Sequence, residues 1–416
     1  MKRDKPPVDK NSPKYKMHMA LGLMFLTVFI DLIGFGIIIP LLPLYAEKFG
    51  ANGFTVGLLL MSYSLMQFFF APMWGRLSDK IGRRPVLLIS LAISAIGYAI
   101  WGAATSLEML FVSRIIAGFG NANLAVAQAY VADVTPEDYR SQGMGMIGAA
   151  FGLGFVLGPA IAGISSSFGV APNILGYIAA GFSVLDLIVT AFILPEPENR
   201  KDSAHNPFSL GLGYYLSTIA NKKFSLCLFI MFISTFAFAN METTLVLLTS
   251  QYFGFTMAQN SYLFVGIGLV MVFVQGYLIR KIGKIYPDKL LISVGTAAIA
   301  LGLLLTPATH SLIVLCVALV FLATGSGINN PSNSSLLSKL APADETGGVM
   351  GIGQSMSTLG RILGPVAGGY LFDKMGASSP YWFAACFMFL AFALSFKLPL
   401  IHKVVPTQPT PTSVSS

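Results

Sequence analysis

Twelve apolar runs recur along the chain, at roughly 19–44, 56–75, 85–104, 109–131, 142–164, 174–194, 224–248, 260–279, 289–307, 311–338, 347–371 and 380–398. Each is long enough for a hydrocarbon core about 30 Å thick, which a helix of about 20 residues crosses. A chain patterned in this way reads as an integral membrane protein. Its composition agrees: 55% of residues are hydrophobic and 11% charged, with a mean hydropathy of +0.72, against about 25% charged in soluble domains.

Lys and Arg set the orientation, because cytoplasmic loops carry the excess of both. With both termini cytoplasmic, that side holds 22 of the 26 cations and the other side only Lys48 and Lys374; Arg114 and Arg361 fall inside spans. The net charge of +8 is then a record of topology, and nucleic acid is not an expected partner. The polar start Met1-Lys2-Arg3 precedes a first run too long for a cleavable signal peptide, so that run is expected to stay in the mature protein. Cys227, Cys316 and Cys386 all lie in apolar runs, where packing is their expected role and neither a disulfide nor a metal site is.

The chain also repeats itself. Gly75-Arg76-Leu77-Ser78-Asp79-Lys80-Ile81-Gly82-Arg83-Arg84 returns 201 positions later as Gly276-Tyr277-Leu278-Ile279-Arg280-Lys281-Ile282-Gly283-Lys284-Ile285, with Arg280 in the place of Asp79. At an offset of 206, Thr135-Pro136 aligns with Ala341-Pro342, Gly154 with Gly360, Gly158-Pro159 with Gly364-Pro365 and Gly163 with Gly369. Whole-half duplication is a transporter signature, with the substrate site near the midplane between halves. The expected fold is therefore an all-α membrane protein of twelve transmembrane helices in two pseudo-symmetric six-helix bundles. Its parts are a cytoplasmic segment 1–18, bundles 19–194 and 224–398, a cytoplasmic linker 195–223 and a disordered tail 399–416 rich in Pro, Thr and Ser.

Gly75 and Gly82 permit a sharp turn and close helix approach. Asp79 can meet a helix N-terminus or a cation there, and Arg83 can reach Asp133 at the end of span 4, pairs that can lock helices in one state and release them in another. Gly154, Gly158, Pro159 and Gly163 in span 5 combine small residues with a kinking proline and predict a helix interface without ligand contact.

Ionisable groups within spans cost roughly 2.5–3.5 kcal/mol on insertion scales and turn inward. Asp31 in span 1 and Glu242 in span 7 can each carry a proton or make a structural hydrogen bond. Arg361 lies deep in span 11, while Arg114, nearer a span end, can snorkel. Asp186 in span 6 is a weaker candidate on a helix that can face lipid. Gln67, Asn121, Gln128, Asn329 and Asn330 can line an aqueous path or bond helix to helix. No Gly-x-x-x-x-Gly-Lys-Ser/Thr loop occurs, so no cofactor is expected and a proton gradient is the expected energy source.

These residues resemble the major facilitator superfamily. The loop 75–84 is similar to that family's loop 2–3 signature, Leu110-x-x-x-Arg114-x-x-x-Gly118 to its span 4 signature, and Gly154–Gly163 to the span 5 signature of its antiporters. Asp31-x-x-Gly34-x-Gly36-x-x-x-Pro40-x-x-Pro43 and Ala132-Asp133-Val134-Thr135 further resemble the drug:proton antiporters, including tetracycline exporters. The resemblance runs from about Met19 to Lys397 and implies alternating access by rocking of two bundles. It also implies that Asp79, Arg83 and Asp133 form a charge network stabilising the outward-facing state, and that Asp31 and Arg114 handle substrate or protons. Glu242 and Arg361 lie outside the family's motifs, and a second copy of the loop without its Asp argues against a symmetric second lock.

The expected function is proton-coupled export of small amphiphilic compounds by a monomer in the plasma (inner) membrane, with substrate, protons and lipid as partners and no enzymatic activity. Two alternatives stand beside it: transport of one endogenous solute such as a sugar, siderophore or lipid-like metabolite, and a receptor or scaffold that moves nothing.

Overall fold

Backbone amides in hydrocarbon have no water to bond, so each span must close its own hydrogen bonds. The computed structural model of the chain describes residues 13–136, 139–197, 217–308, 311–342 and 345–400, and its regular structure there is entirely helical. The segment before Pro13, most of the 195–223 linker and the tail after Leu400 lie outside the described residues.

The first six long helices are α1 (Pro13–Ile38), α2 (Gly53–Ile81), α3 (Arg83–Gly102), α4 (Leu107–Val134), α5 (Arg140–Ser167) and α6 (Pro172–Ile193). The second six are α7 (Ser225–Phe253), α8 (Met257–Ile285), α9 (Asp288–Leu305), α10 (Leu312–Leu340), α11 (Thr346–Met375) and α12 (Ser379–Ser395). A short helix, Leu42–Glu47, follows α1. Among the described residues ten of these helices are long and apolar enough to cross a membrane. The other two are α11, diluted by Gly, Ser and Arg361, and α12, seventeen residues long.

Local chemistry sets the ends. Asn52 caps α2 by accepting the Thr55 N–H at 2.9 Å, and Thr256 and Gln259 form a reciprocal capping box on α8. Gly82, Gly254 and Gly376 stop α2, α7 and α11 at positive φ. A 3-10 turn at Asn121–Asn123 interrupts α4, and a π turn at Val274–Leu278 interrupts α8.

Packing repeats with a step of six helices. In the first half α1 packs on α5 and α6, α3 on α4 and α6, and α2 on α4; in the second, α7 packs on α11 and α12, α9 on α10 and α12, and α8 on α10. The principal contacts between halves, α2 with α11 and α5 with α8, are exchanged by the same step. The sequence repeat is thus a pseudo-two-fold of two six-helix bundles. The first bundle has two apolar clusters, one around Leu41, Tyr98 and Trp101 and one around Leu21, Leu87 and Tyr130. Between them α1, α3, α4 and α6 place Asp31, Ser90, Ser94, Asn121, Asn123 and Asp186, a polar layer at mid-height.

Candidate functional site

Where the bundles face each other at mid-height they enclose a cavity of about 310 Å³. Phe35, Tyr63, Phe155, Phe238, Met231 and Met271 give it apolar walls, and Ser326, Asn330, Gln354 and Ser357 add polar ones. Its two charged groups are Glu242 of α7 and Arg361 of α11.

The end of the molecule bearing Gly53 and Met375, here the far end, is sealed. A Cβ on Gly57 would lie 2.3 Å from the Pro365 carbonyl oxygen, and one on Gly163 would lie 3.0 Å from the Tyr262 ring and 3.1 Å from the Ser261 side chain. Ser167 and Tyr262 add a hydrogen bond of 3.0 Å between bundles. On the side toward the Gly75–Arg84 turn, here the loop end, the cavity residue Gln354 is exposed. The cavity is closed at the far end and reached from the loop end.

Glu242 Oε1 is buried without a hydrogen-bond partner, and Arg361 is within electrostatic range. A lone buried carboxylate oxygen is expensive to leave charged, so this group is suited to exchange a proton or meet a ligand. Asp31 stands behind the cavity wall. Its Oδ1 is likewise buried and unpartnered, and Tyr63, which lines the cavity, is in the field of Asp31, Arg114 and Arg361 together. Arg114 does not snorkel. It is 1% exposed, with its guanidinium 5.3 Å from the Tyr63 ring, 6.0 Å from Tyr98 and 5.2 Å from Trp101. Three aromatic faces hold a cation that has no carboxylate bonded to it among the described residues. Asp186, expected on a helix facing lipid, is 0% exposed and takes a hydrogen bond from Thr190 at 3.4 Å.

Of the five polar candidates only Asn330 lines the cavity. Asn121 donates to the Tyr63 and Tyr98 hydroxyls at 3.0 and 2.9 Å, and Gln67 donates to the Asn121 carbonyl at 3.0 Å. Asn329 donates to Ser234 at 2.7 Å, and Gln128 is exposed away from the cavity. Spacing along a helix does not separate the inner face from its neighbours when both are polar. Asn333, a further lining candidate from sequence, has its amide buried without a partner, and so does Asn240, which composition gave no reason to single out.

At the loop end the three expected charges meet. Arg83, 2% exposed, bonds Asp79 at 2.6 Å and Asp133 at 2.9 Å, and Ser78 accepts from it at 2.6 Å. Glu196 caps α3 by accepting the Arg83 and Arg84 N–H groups at 2.7 and 2.9 Å. The network was expected to mark the outward-facing state, yet it is intact here with the far end closed. All three residues belong to one bundle, so a rocking motion leaves their separations unchanged; only the 34% exposed edge of Asp79 is open to a contact across the halves. A second pair was also unexpected. Asp288, the first residue of α9, bonds Lys339 at the end of α10, where Arg83 and Asp133 stand in the first bundle, with the charges reversed.

Gly82 has φ +114°, but a side chain at Gly75 would meet open space, so close approach is not its role. Gly154 and Gly158 press on α1 at Leu32 and Gly36, Pro159 touches the space beside Gly36, and Gly163 meets Ser261 and Tyr262 of the other bundle. None of the four lines the cavity.

The sequence profile of the Major Facilitator Superfamily matches residues 24–365 and, as a second segment, 285–415. Major facilitator superfamily domain-containing protein 10 of Mus musculus is 30% identical, over 90% of this chain and 92% of its own length. Tetracycline resistance protein, class E, of Escherichia coli is 32% identical over 86% of this chain and 89% of its own. Multidrug resistance protein 1 of Bacillus subtilis is 26% identical over 91% and 96%. Among solved structures, the human organic anion transporter MFSD10 superposes with a TM-score of 0.70 at 27% identity, covering 94% of this chain and all of that one. A bacterial homologue of the lysosomal transporter Spinster superposes at 0.73 with 15% identity, over 94% and 98%.

Proposed function

Since this multi-pass chain belongs to the Major Facilitator Superfamily of membrane transporters, we propose that it exports small amphiphilic compounds in exchange for protons, by alternating access. The observation that carries this reading is Glu242: a carboxylate in the cavity wall, with one oxygen buried and unpartnered and Arg361 within electrostatic range. Substrate and proton can then compete for one group, which is the minimum an exchanger requires. Aromatic and Met side chains around it suit an amphiphilic guest, and similarity to proteins named for tetracycline and multidrug resistance supports export. Asp31 is the second proton site, coupled to the cavity through Tyr63 and Arg114. The basic loop end is the cytoplasmic side of a plasma (inner) membrane, and the transporter works as a monomer.

The test is pH-gradient-driven flux in proteoliposomes. Glu242→Gln and Asp31→Asn are each expected to abolish it while the protein still purifies as a folded monomer; unchanged flux in both variants would sink carboxylate coupling.

Arg361 favours a second reading. An exposed cation in the cavity and similarity to a structure titled as an organic anion transporter support anionic cargo. Competition by a panel of anionic, neutral and cationic compounds separates the readings: inhibition confined to anions selects the second, and inhibition by a single solute alone selects a dedicated transporter.

A further inference from the structure

The signature octapeptide occurs a third time, at the opposite end of the molecule. Gly369-Tyr370-Leu371-Phe372-Asp373-Lys374-Met375-Gly376 shares Gly, Leu, Asp, Lys and Gly in register with Gly75–Gly82. Both copies close a helix: α2 ends at Ile81 and α11 at Met375, each followed by a glycine at positive φ, +114° and +89°. The intermediate copy at 276–283 has Arg280 in place of the aspartate.

Asp373 shows what the aspartate does. Its two carboxylate oxygens accept the N–H groups of Gly53 at 2.9 Å and Phe54 at 2.8 Å, the first two residues of α2. Asn52 takes the next, its side chain accepting from Thr55 at 2.9 Å, and its carbonyl accepts the first bond of the helix ladder from Val56 at 3.0 Å. Of the N–H groups that a helix start leaves open, those of Gly53, Phe54 and Thr55 are therefore satisfied, two of them by the other bundle. The carboxylate also sits at the positive end of the α2 dipole. Small residues let it arrive: a Cβ on Gly369 would lie 2.0 Å from the Gly53 carbonyl oxygen, and one on Gly53 2.8 Å from Asp373 Oδ1.

We propose that Asp373 is the far-end latch of the transport cycle: its carboxylate caps the N-terminus of α2 across the bundle interface and holds the cavity closed to that side. When the far ends separate, the Gly53 and Phe54 N–H groups lose a charged acceptor and regain only water. The helices α2 and α11 are antiparallel neighbours, so the same motif on α2 places Asp79 toward the start of α11 at the loop end. One motif, used once on each helix, thus serves the two ends in turn. This latch rests on the rocking of the bundles and not on the cargo or the coupled ion, so its failure is separate from that of the exchange reading.

Pulsed EPR on the full chain in nanodiscs tests it. Spin labels at Lys48→Cys and Gln251→Cys, both exposed at the far end in different bundles, report its opening, in a background with the exposed Cys316 and Cys386 changed to Ser. Asp373→Ala is expected to raise the ratio of far-end-open to far-end-closed distances about tenfold, the equivalent of about 1.4 kcal/mol. Asp373→Asn, which keeps the side chain's shape and one acceptor oxygen but no charge, is expected to shift it less, and it reads the same distance should the alanine variant not fold. Lys374→Ala is expected to leave the distribution at wild type. Distances in both Asp373 variants that match wild type, or an equal shift in Lys374→Ala, would overturn the latch.

Discussion

Gly57 lies where the far-end seal has little tolerance. A methyl group there would sit 2.3 Å from the Pro365 carbonyl oxygen and 2.8 Å from its carbon, roughly 0.7 Å inside the nearest approach that real side-chain carbons make. The atoms it meets are helix backbone, which cannot rotate away as a side chain would. Relief must come from moving α2 off α11, which is the opening motion itself. Overpacking of this kind costs about 1–3 kcal/mol, and at about 1.4 kcal/mol per decade the closed form should lose between roughly fivefold and 150-fold in population. The assay is labelling of a reporter at Ser64→Cys, a cavity residue 8% exposed behind the seal, by an impermeant maleimide added from the far side. Gly57→Ala should turn a protected cysteine into a reactive one and slow transport, because the cycle must pass through the closed form. Wild-type protection together with wild-type flux would refute the reasoning that this contact forms the seal.

Four further outcomes follow from burial and charge. Asp133→Ala, which leaves the 2% exposed Arg83 with Asp79 as its one remaining carboxylate, should cost about 1.5–3 kcal/mol in stability, whereas Asp288→Ala, opposite a Lys339 that is 40% exposed, should cost under about 1 kcal/mol; chemical or thermal unfolding in detergent compares them. Arg114→Lys keeps the charge but loses planar stacking on three rings, and should lower both melting temperature and flux, where retention of both would show the cage to be idle. Asp79→Asn should shift the population toward the form open at the loop end, opposite in sign to Asp373→Asn, and accessibility labelling of Ser334→Cys in the cavity reads it. Gly82→Ala puts a side chain at φ +114°, with strain on the order of 1–3 kcal/mol seen as lower stability.

The periodic part of this fold was open to reading in the chain. Twelve apolar runs became twelve helices, because a span in hydrocarbon has no alternative to bonding within itself, and the 206-residue offset reappears as paired contacts. Arg83 and Asp133 could be joined from sequence, since a basic turn and an acidic helix end on one face seek each other. What stayed hidden depends on which way a helix is rotated. Asp186 and Arg114 proved fully enclosed, and Gln67, Asn121 and Asn329 bond neighbouring helices while Asn330 faces the cavity. A period of 3.6 residues marks a polar face but does not say what lies opposite. Asp373 is a different case. Its octapeptide was legible as a third copy of the motif, but it lies at a span end among small residues, where a charge reads as an ordinary boundary. Its meaning comes only from α2 starting 2.8–2.9 Å away.

In the proposed exchange Glu242 gives up a proton when substrate enters the cavity. Proton release from unbuffered, detergent-solubilised protein on addition of a transported compound, followed with a pH indicator, measures this without a membrane or a gradient. The wild-type chain is predicted to release protons in proportion to bound substrate, and Glu242→Gln to bind with that release lost. Substrate binding with no proton release in the wild type, or with equal release in Glu242→Gln, would rule out Glu242 as the coupling group.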